Sequence, residues 1–262
     1  MLRALYSSAS GMESQQMNLD VIANNLANVN TTGFKKAKIE FQDLLYQTKR
    51  AAGAESGPGT QVPTSLQIGH GARPVSTAKI FTAGEIMSTG ERLDLAIHGN
   101  GFFKVTLADG TNAFTRDGGF KLDSTGQIVT SDGLPVTSFA GVTISPEATN
   151  VSISQTGIVS VTQNGTTSTA GSLVLSRFAN SAGLESIGAN LYRETPASGT
   201  EQTGEPSNAG MGTVQQGYLE LSNVKVVEEM VNLIKAQRAY EINSKAIQAA
   251  DEMMSMSNRL RG

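Results

Sequence analysis

The chain has no cysteine and no tryptophan, and only two histidines in 262 residues. Without cysteine there is no disulfide framework, thiolate metal site or thiol nucleophile. Such a chain also suits passage between compartments without wrong disulfides forming. His70 and His98 alone give a His-based triad or a metal cluster little to draw on. His70 sits between glycines and His98 precedes Gly99-Asn100-Gly101, so both read as structural. Aromatic residues make up 5% and hydrophobic residues 39%, a thin supply of large core side chains for this length. No apolar run approaches the ~18 residues of a membrane span. The N-terminus carries Arg3 but no apolar h-region, so it is not a cleavable secretory signal. Export, if it occurs, needs a specialised route.

What is abundant is glycine, with 28 residues, alongside Ser, Thr and Asn. That composition suits tight turns and closely packed backbones. The net charge of −3 argues against a nucleic-acid binder with a broad basic face. Residues 1–50 carry +2, residues 217–262 are neutral and residues 51–216 carry −5. Nearly neutral ends do not resist packing against copies of themselves. The acids are scattered. Asp117 and Asp132 neighbour glycine and Asp123 precedes Gly126 by three residues, which marks turns and not a catalytic carboxylate pair. An enzyme, such as a peptidoglycan hydrolase, is therefore disfavoured, and no cofactor or metal is expected.

Residues 2–26 carry an unbroken heptad: Leu2, Leu5, Ala9, Met12, Gln16, Leu19, Ala23 and Leu26. Gln16 alone is polar, so this is a coiled-coil seam, widened by Ile22 and Val29. Gly11 inside it admits two readings, a loosened turn or a close helix–helix approach. The polar stretch Asn24–Lys36 ends the pattern, because Asn and Gly accept the left-handed conformation that closes helices. Residues 48–74 hold three prolines and five glycines and read as a long extended or flexible segment. Residues 75–215 are β in character. Phe102–Leu107 is expected to turn at Ala108–Thr111 and return over Ala113–Thr115. Asp117-Gly118, Asp132-Gly133 and Asn164-Gly165 are hairpin-type turns. The segments Asp123–Val129 and Ser154–Ser160 resemble each other, each a turn followed by a short strand.

Residues 195–216 read as a loop out of this domain. A second helical pattern runs from Gly217 to the end, with Asn223 as a candidate cap. It carries several seams: Val226, Met230, Leu233, Tyr240 and Ile247; Val224, Val227, Val231 and Ile234; and Ala239, Ile242, Ala246, Ala249, Met253, Met256 and Leu260. Several seams imply several neighbours. The fold class is α+β. Long N- and C-terminal helices form a coiled-coil-like inner region around one central antiparallel β domain. The boundaries are 1–33 for the N-terminal helical segment, 34–74 for a connector, 75–200 for the β domain, 201–216 for a return connector and 217–262 for the C-terminal helical segment. Two terminal helices with uncovered seams ask for self-association, and a non-closing contact makes a helical filament. A monomeric secreted β-rich binding module leaves those seams without partners.

The runs Leu2–Leu5, Ser10–Met12, Leu19-Asp20 and Ile22–Lys35 closely resemble the N-terminal signature of the axial proteins of the bacterial flagellum, the rod and hook class. Gln216–Val224 and Gln237–Lys245 resemble the C-terminal motif of that class. Gln67–Pro74, Gly101–Phe103, Phe114–Gly118 and Gly183–Gly188 resemble its distal-rod members, with proximal rod or hook as the alternative. The resemblance covers essentially the whole chain. It implies a structural subunit that polymerises into a hollow helical drive shaft transmitting torque from motor to hook. It implies partners in the chain itself, other rod proteins, the hook or hook-junction side, bushing rings where present and the flagellar type III export apparatus. It implies the periplasm-spanning part of the basal body, with export but no cleaved signal and no membrane insertion. In such proteins the terminal helices form the inner tube and the β domain faces outward.

The assembly interface expected on this basis has an N-terminal and a C-terminal half. The first comprises Leu2, Leu5, Met12, Leu19, Ile22, Asn24, Asn25, Leu26, Asn28, Asn30, Thr31, Gly33 and Phe34. The second comprises Val227, Met230, Val231, Ile234, Gln237, Arg238, Tyr240, Asn243, Met253, Met256 and Leu260. The Asn and Thr side chains of the first half are expected to satisfy one another across subunits, and Gly33→Val to leave the β domain folded while impairing polymerisation.

Overall fold

Proline-free runs become helices at the two ends of the chain. Helix α1 spans Leu2–Ala27 and helix α2 spans Val226–Arg259. The computed structural model describes residues 2–57, 60–145, 148–163, 165–208 and 210–259. Contacts divide the chain into two units. The first is made of α1, the 37–78 segment and α2; the second holds residues 27–36 and 79–224. The protein is thus α+β, with a mostly β central region between terminal helices.

In the first unit α1 and α2 meet at two points. Asn25 Nδ2 donates to Glu229 Oε2 at 3.3 Å. A Cβ placed on Gly11 would lie 3.0 Å from Asn243 Nδ2. The helices therefore run antiparallel, and Gly11 serves close approach. The 48–74 segment, expected as extended or flexible, is extended and belongs to a set of paired strands. Ala37–Asp43 lies beside Ala72–Lys79. Tyr46–Arg50 pairs antiparallel with Leu66–Gly69, and Glu55–Gly57 with Thr60–Gln61. These nested pairs make one long β ribbon. Its base rests on α1: Ser14 Oγ donates to Ala72 O at 3.4 Å, and a Cβ on Gly71 would collide with Ser10 Oγ.

In the second unit the expected hairpin forms. Phe103–Thr106 pairs with Asn112–Thr115. Asp109 Oδ1 accepts the Thr111 N–H at 2.9 Å inside the turn, an Asx-type device. Leu191–Arg193 and Glu185–Gly188 extend this sheet to four antiparallel strands. The two similar segments behave alike. Asp123 Oδ1 accepts from Thr125 N and Gln127 N before Ile128–Val129. Ser154 Oγ accepts from Ile158 N before Ile158–Gln163. The latter strand is the middle of a three-stranded meander with Asn150–Ile153 and Thr166–Ser172. Of the turn expected at Asn164-Gly165, Asn164 lies outside the described residues.

The sequence reading placed the far boundary of the β domain too early. Residues 201–216 are not a connector: Gln202–Gly204 pairs with Leu175–Arg177, and Thr213–Gln216 with Leu95–His98. Tyr218–Glu220 is a strand against Ile86–Ser88, so α2 begins after it. Asn223 does not cap α2; its Oδ1 accepts from Lys36 N at 2.8 Å. Val224 is likewise buried in the β unit and belongs to no helical seam. The scarce aromatic residues are pooled. Phe81, Phe102, Phe114, Phe178 and Tyr192 form an edge-to-face cluster, with Phe114 and Phe178 centroids 4.7 Å apart. A larger aliphatic core around Leu95, Phe103, Val105, Val159, Leu175 and Val214 holds the rest of the unit.

Candidate assembly site

The second unit begins with the polar stretch that leaves α1. Thr31 N donates to Asn28 O at 3.2 Å, closing a turn. Gly33 then takes φ +68°, a conformation glycine adopts without a Cβ penalty. Its N–H donates to Glu220 O at 2.8 Å. A Cβ there would lie 2.5 Å from Asp117 N and 2.7 Å from Arg116 C. Thr32 Oγ1 donates to Asp117 Oδ1 at 2.9 Å, and Asn190 Nδ2 to Thr32 O at 3.0 Å. Asp117 Oδ1 also accepts from Gly119 N at 3.2 Å, so Asp117 closes a local turn as expected, though not a hairpin, and anchors the incoming chain.

Beneath this stretch lies a buried ionic cluster. Lys35 Nζ donates to Glu220 Oε1 at 2.6 Å and to Thr82 O at 2.7 Å. Arg116 Nη1 reaches Glu220 Oε2 at 3.4 Å, and Nη2 donates to Gly99 O at 2.7 Å. The side chains of Lys35, Glu220 and Arg116 are 0%, 1% and 3% exposed. Burial pushes the Lys35 ammonium and the Arg116 guanidinium below their ordinary values, and Glu220 pulls both back up. Phe34 is buried beside this cluster with Lys79 Nζ 4.5 Å above its ring. Asn223 Nδ2 donates to Ile80 O at 2.7 Å while its Oδ1 holds Lys36 N.

Tyr192 packs against the cluster, and burial pushes its phenol up to about 12 from 10.0. The folded state thus favours the neutral phenol. Its contribution is full below pH 10 and is lost as pH rises to about 12, worth about 2–3 kcal/mol. Unfolding free energies of wild type and Tyr192→Phe, measured from about pH 9 to 12, should diverge by that amount in this window. Parallel curves would contradict it.

In the first unit the helices show different faces. On α1 the buried residues are Ser14, Ile22 and Asn25. Ser7, Gly11 and Asn18 are half-buried, and so are Leu5, Met12, Leu19 and Leu26 of the heptad. Asn25 clasps the ribbon: Nδ2 donates to Ala37 O and Oδ1 accepts from Ala37 N, both at 2.9 Å. On α2 the covered line is Glu229, Ala236, Asn243 and Ala250. The apolar residues around it are open. Val227 is 75% exposed and Ile242 66%, and Met230, Val231, Ile234, Tyr240, Met253 and Met256 are also exposed.

The expected interface residues therefore separate. Ile22, Asn25, Gly33 and Phe34 are buried within the chain itself, and Asn28 and Thr31 bond one another. The first four shape the subunit, while Asn28 and Thr31 stay half-exposed. The hydrogen bonding expected across subunits is made here inside one chain for Asn25, Asn28, Thr31 and Thr32. Asn24, Asn30, Gln237 and Arg238 are exposed. Leu2 lies in α1 with its side chain outside the described residues, as is Leu260 altogether. The ionic cluster escaped sequence reading, although each member stood inside a recognised motif. The available signal was the lone charge between apolar neighbours in Leu219-Glu220-Leu221; Lys35, followed by Lys36, carried no such signal.

The elements that build this geometry coincide with three family models. Residues 5–35 match "Flagella basal body rod protein". Residues 96–161 match "Flagellar hook protein FlgE/F/G D1 domain", and residues 215–260 match "Flagellar basal body rod FlgEFG protein C-terminal". The flagellar basal-body rod protein FlgG of Borreliella burgdorferi is 50% identical, with 100% of this chain and 99% of that one covered. The chain belongs to the flagellar basal-body rod protein family. Within one organism, Caulobacter vibrioides, the rod protein FlgG is 46% identical over 99% of this chain and 100% of its own. The rod protein FlgF of that organism is 37% identical over 95% and 94%. The FlgG branch is therefore the better match, and the chain is a structural subunit of the distal rod of the flagellum. No helix among the described residues is long and apolar enough to cross a membrane.

Proposed function

We propose that copies of this subunit polymerise, through their terminal helices, into a hollow helical shaft that transmits torque from motor to hook. The exposed apolar face of α2 carries the reading. Val227, Val231, Ile234, Ile242, Met253 and Met256 stand open on a helix whose inner line is already covered. Burying each such side chain contributes about 1.5–3 kcal/mol, so neighbouring helices gain from closing over them in a coiled-coil-like inner layer. The half-exposed leucines of α1 supply a complementary apolar stripe. The subunit acts without catalysis or a cofactor. Its partners are itself, other rod proteins, the hook side of the axis, bushing rings where present and the flagellar export apparatus. It works in the periplasm-spanning rod after export without a cleaved signal.

Val227→Asp with Ile242→Asp should reduce polymer at least about tenfold in a sedimentation assay, since a charge buried at each site costs several kcal/mol. Far-ultraviolet circular dichroism of the monomer should be unchanged, because both side chains are exposed there. Normal polymer from this variant would refute the role of the α2 face. The β ribbon also exposes Leu45, Tyr46, Leu66 and Val75. Packed between neighbours, these residues would stiffen the shaft. An equally straight, stiff polymer after deletion of 48–66 would rule that out.

A further inference from the structure

Within the β unit, two buried cations face one carboxylate. Lys35 and Arg116 share Glu220, and among the described residues no second acid joins them. Arg116 Nε is buried with no hydrogen-bond partner among the described residues. An orphaned buried donor is unfavourable, more so on a charged group. Arg116 also lines a cavity of about 290 Å³, together with Arg177, Phe81, Phe102, Phe178 and Ala179. Arg177 brings a second guanidinium to the wall, held by long hydrogen bonds to Gly210 O and Gln202 Oε1. Ala179 is exposed, so the site is reachable from outside.

The demands of this cavity are specific. Its excess positive charge calls for one anion. Guanidinium groups favour planar carboxylates, which accept two parallel N–H bonds. The phenylalanine walls suit the methylenes of a short side chain and not a heavily hydrated ion. The β unit, residues 27–36 and 79–224, carries thirteen acidic against nine basic residues, so copies of it present carboxylates to one another.

We propose that the cavity receives the carboxylate of an Asp or Glu side chain from a second copy of this chain. The proposal rests on the reading that copies polymerise. One inserted carboxylate per subunit completes the ionic cluster and fixes the register between neighbours, a use for which buried polar groups are well suited.

Two measurements on the full chain test it. Acetate serves as the probe, titrated against chloride at constant ionic strength while thermal unfolding of the monomer is followed. The midpoint should rise saturably, by about 3–5 °C at ten times the dissociation constant. Ala179→Phe fills the mouth without touching the ionic cluster, and should abolish that rise and reduce polymer severalfold. No acetate-specific rise in the wild type overturns the proposal. A rise lost in Ala179→Phe, with polymerisation at the wild-type level, assigns the cavity to a free anion and overturns insertion by a neighbour. Wild-type chain that fails to polymerise at all sinks the assembly reading, whatever acetate does.

Discussion

Glu220→Ala should destabilise the β unit by about 3–5 kcal/mol, because it strands two buried cations at once. Lys35 would lose its carboxylate partner and keep only Thr82 O. Arg116 would keep only its carbonyl acceptors, Ile97 O and Gly99 O. Gly84 N, which donates to Glu220 Oε1 at 2.9 Å, would be orphaned as well. Lys35→Met should cost far less, since the Arg116–Glu220 pair survives it and methionine fills a similar volume. The contrast separates a charge effect from a packing effect. Urea unfolding should show a lower midpoint with an unchanged slope for Glu220→Ala. A loss below about 1 kcal/mol, the range of exposed pairs, would show that the cluster is hydrated and not structural.

Gly33→Val should be nearly as damaging. Valine at φ +68° is strained by its branched Cβ, and the left-handed region alone costs about 1–2 kcal/mol. The Cβ would also lie 2.5 Å from Asp117 N and 2.9 Å from Asp117 Cα, both backbone atoms that cannot swing aside. Together these imply a loss of at least about 3 kcal/mol. The effect should fall on the β unit, because Gly33, Arg116 and Glu220 all belong to it. This revises the expectation drawn from sequence, in which Gly33→Val spares the β domain. Faster amide exchange across 79–224 in the variant would agree. A β unit as protected as in the wild type, with only polymerisation lost, would restore the earlier reading.

Features set by short-range chemistry were legible in the sequence. Both helices, the hairpin at Asp109-Gly110 and the paired Asp123 and Ser154 turns follow from periodicity and from side chains that bond their own backbone. Features set by distant pairing were not. Leu66 and Ile68 alternate with Gln67 and Gly69, but Tyr46–Arg50 is polar beyond Tyr46 and exposed throughout, so nothing in it marked the two strands as partners. Lys35 and Glu220 are 185 residues apart, and nothing local declares that they meet. On α1 Gly11, Ser14 and Asn25 make close contacts within the subunit, while Leu5, Met12, Leu19 and Leu26 of the heptad are half-buried. The sequence shows that a seam exists; which neighbour takes it is decided by closeness of approach.

Two asparagines hold consecutive residues at the start of the ribbon, and each works only as an amide. Asn25 donates to and accepts from Ala37; Asn223 accepts from Lys36 and donates to Ile80. A carboxylate in either place keeps the acceptor but turns the donor into a second oxygen facing a carbonyl. Asparagine loses ammonia spontaneously over time, and faster when hot. Each such event would replace a clasp with a repulsion, one atom at a time and without any change of sequence in the gene.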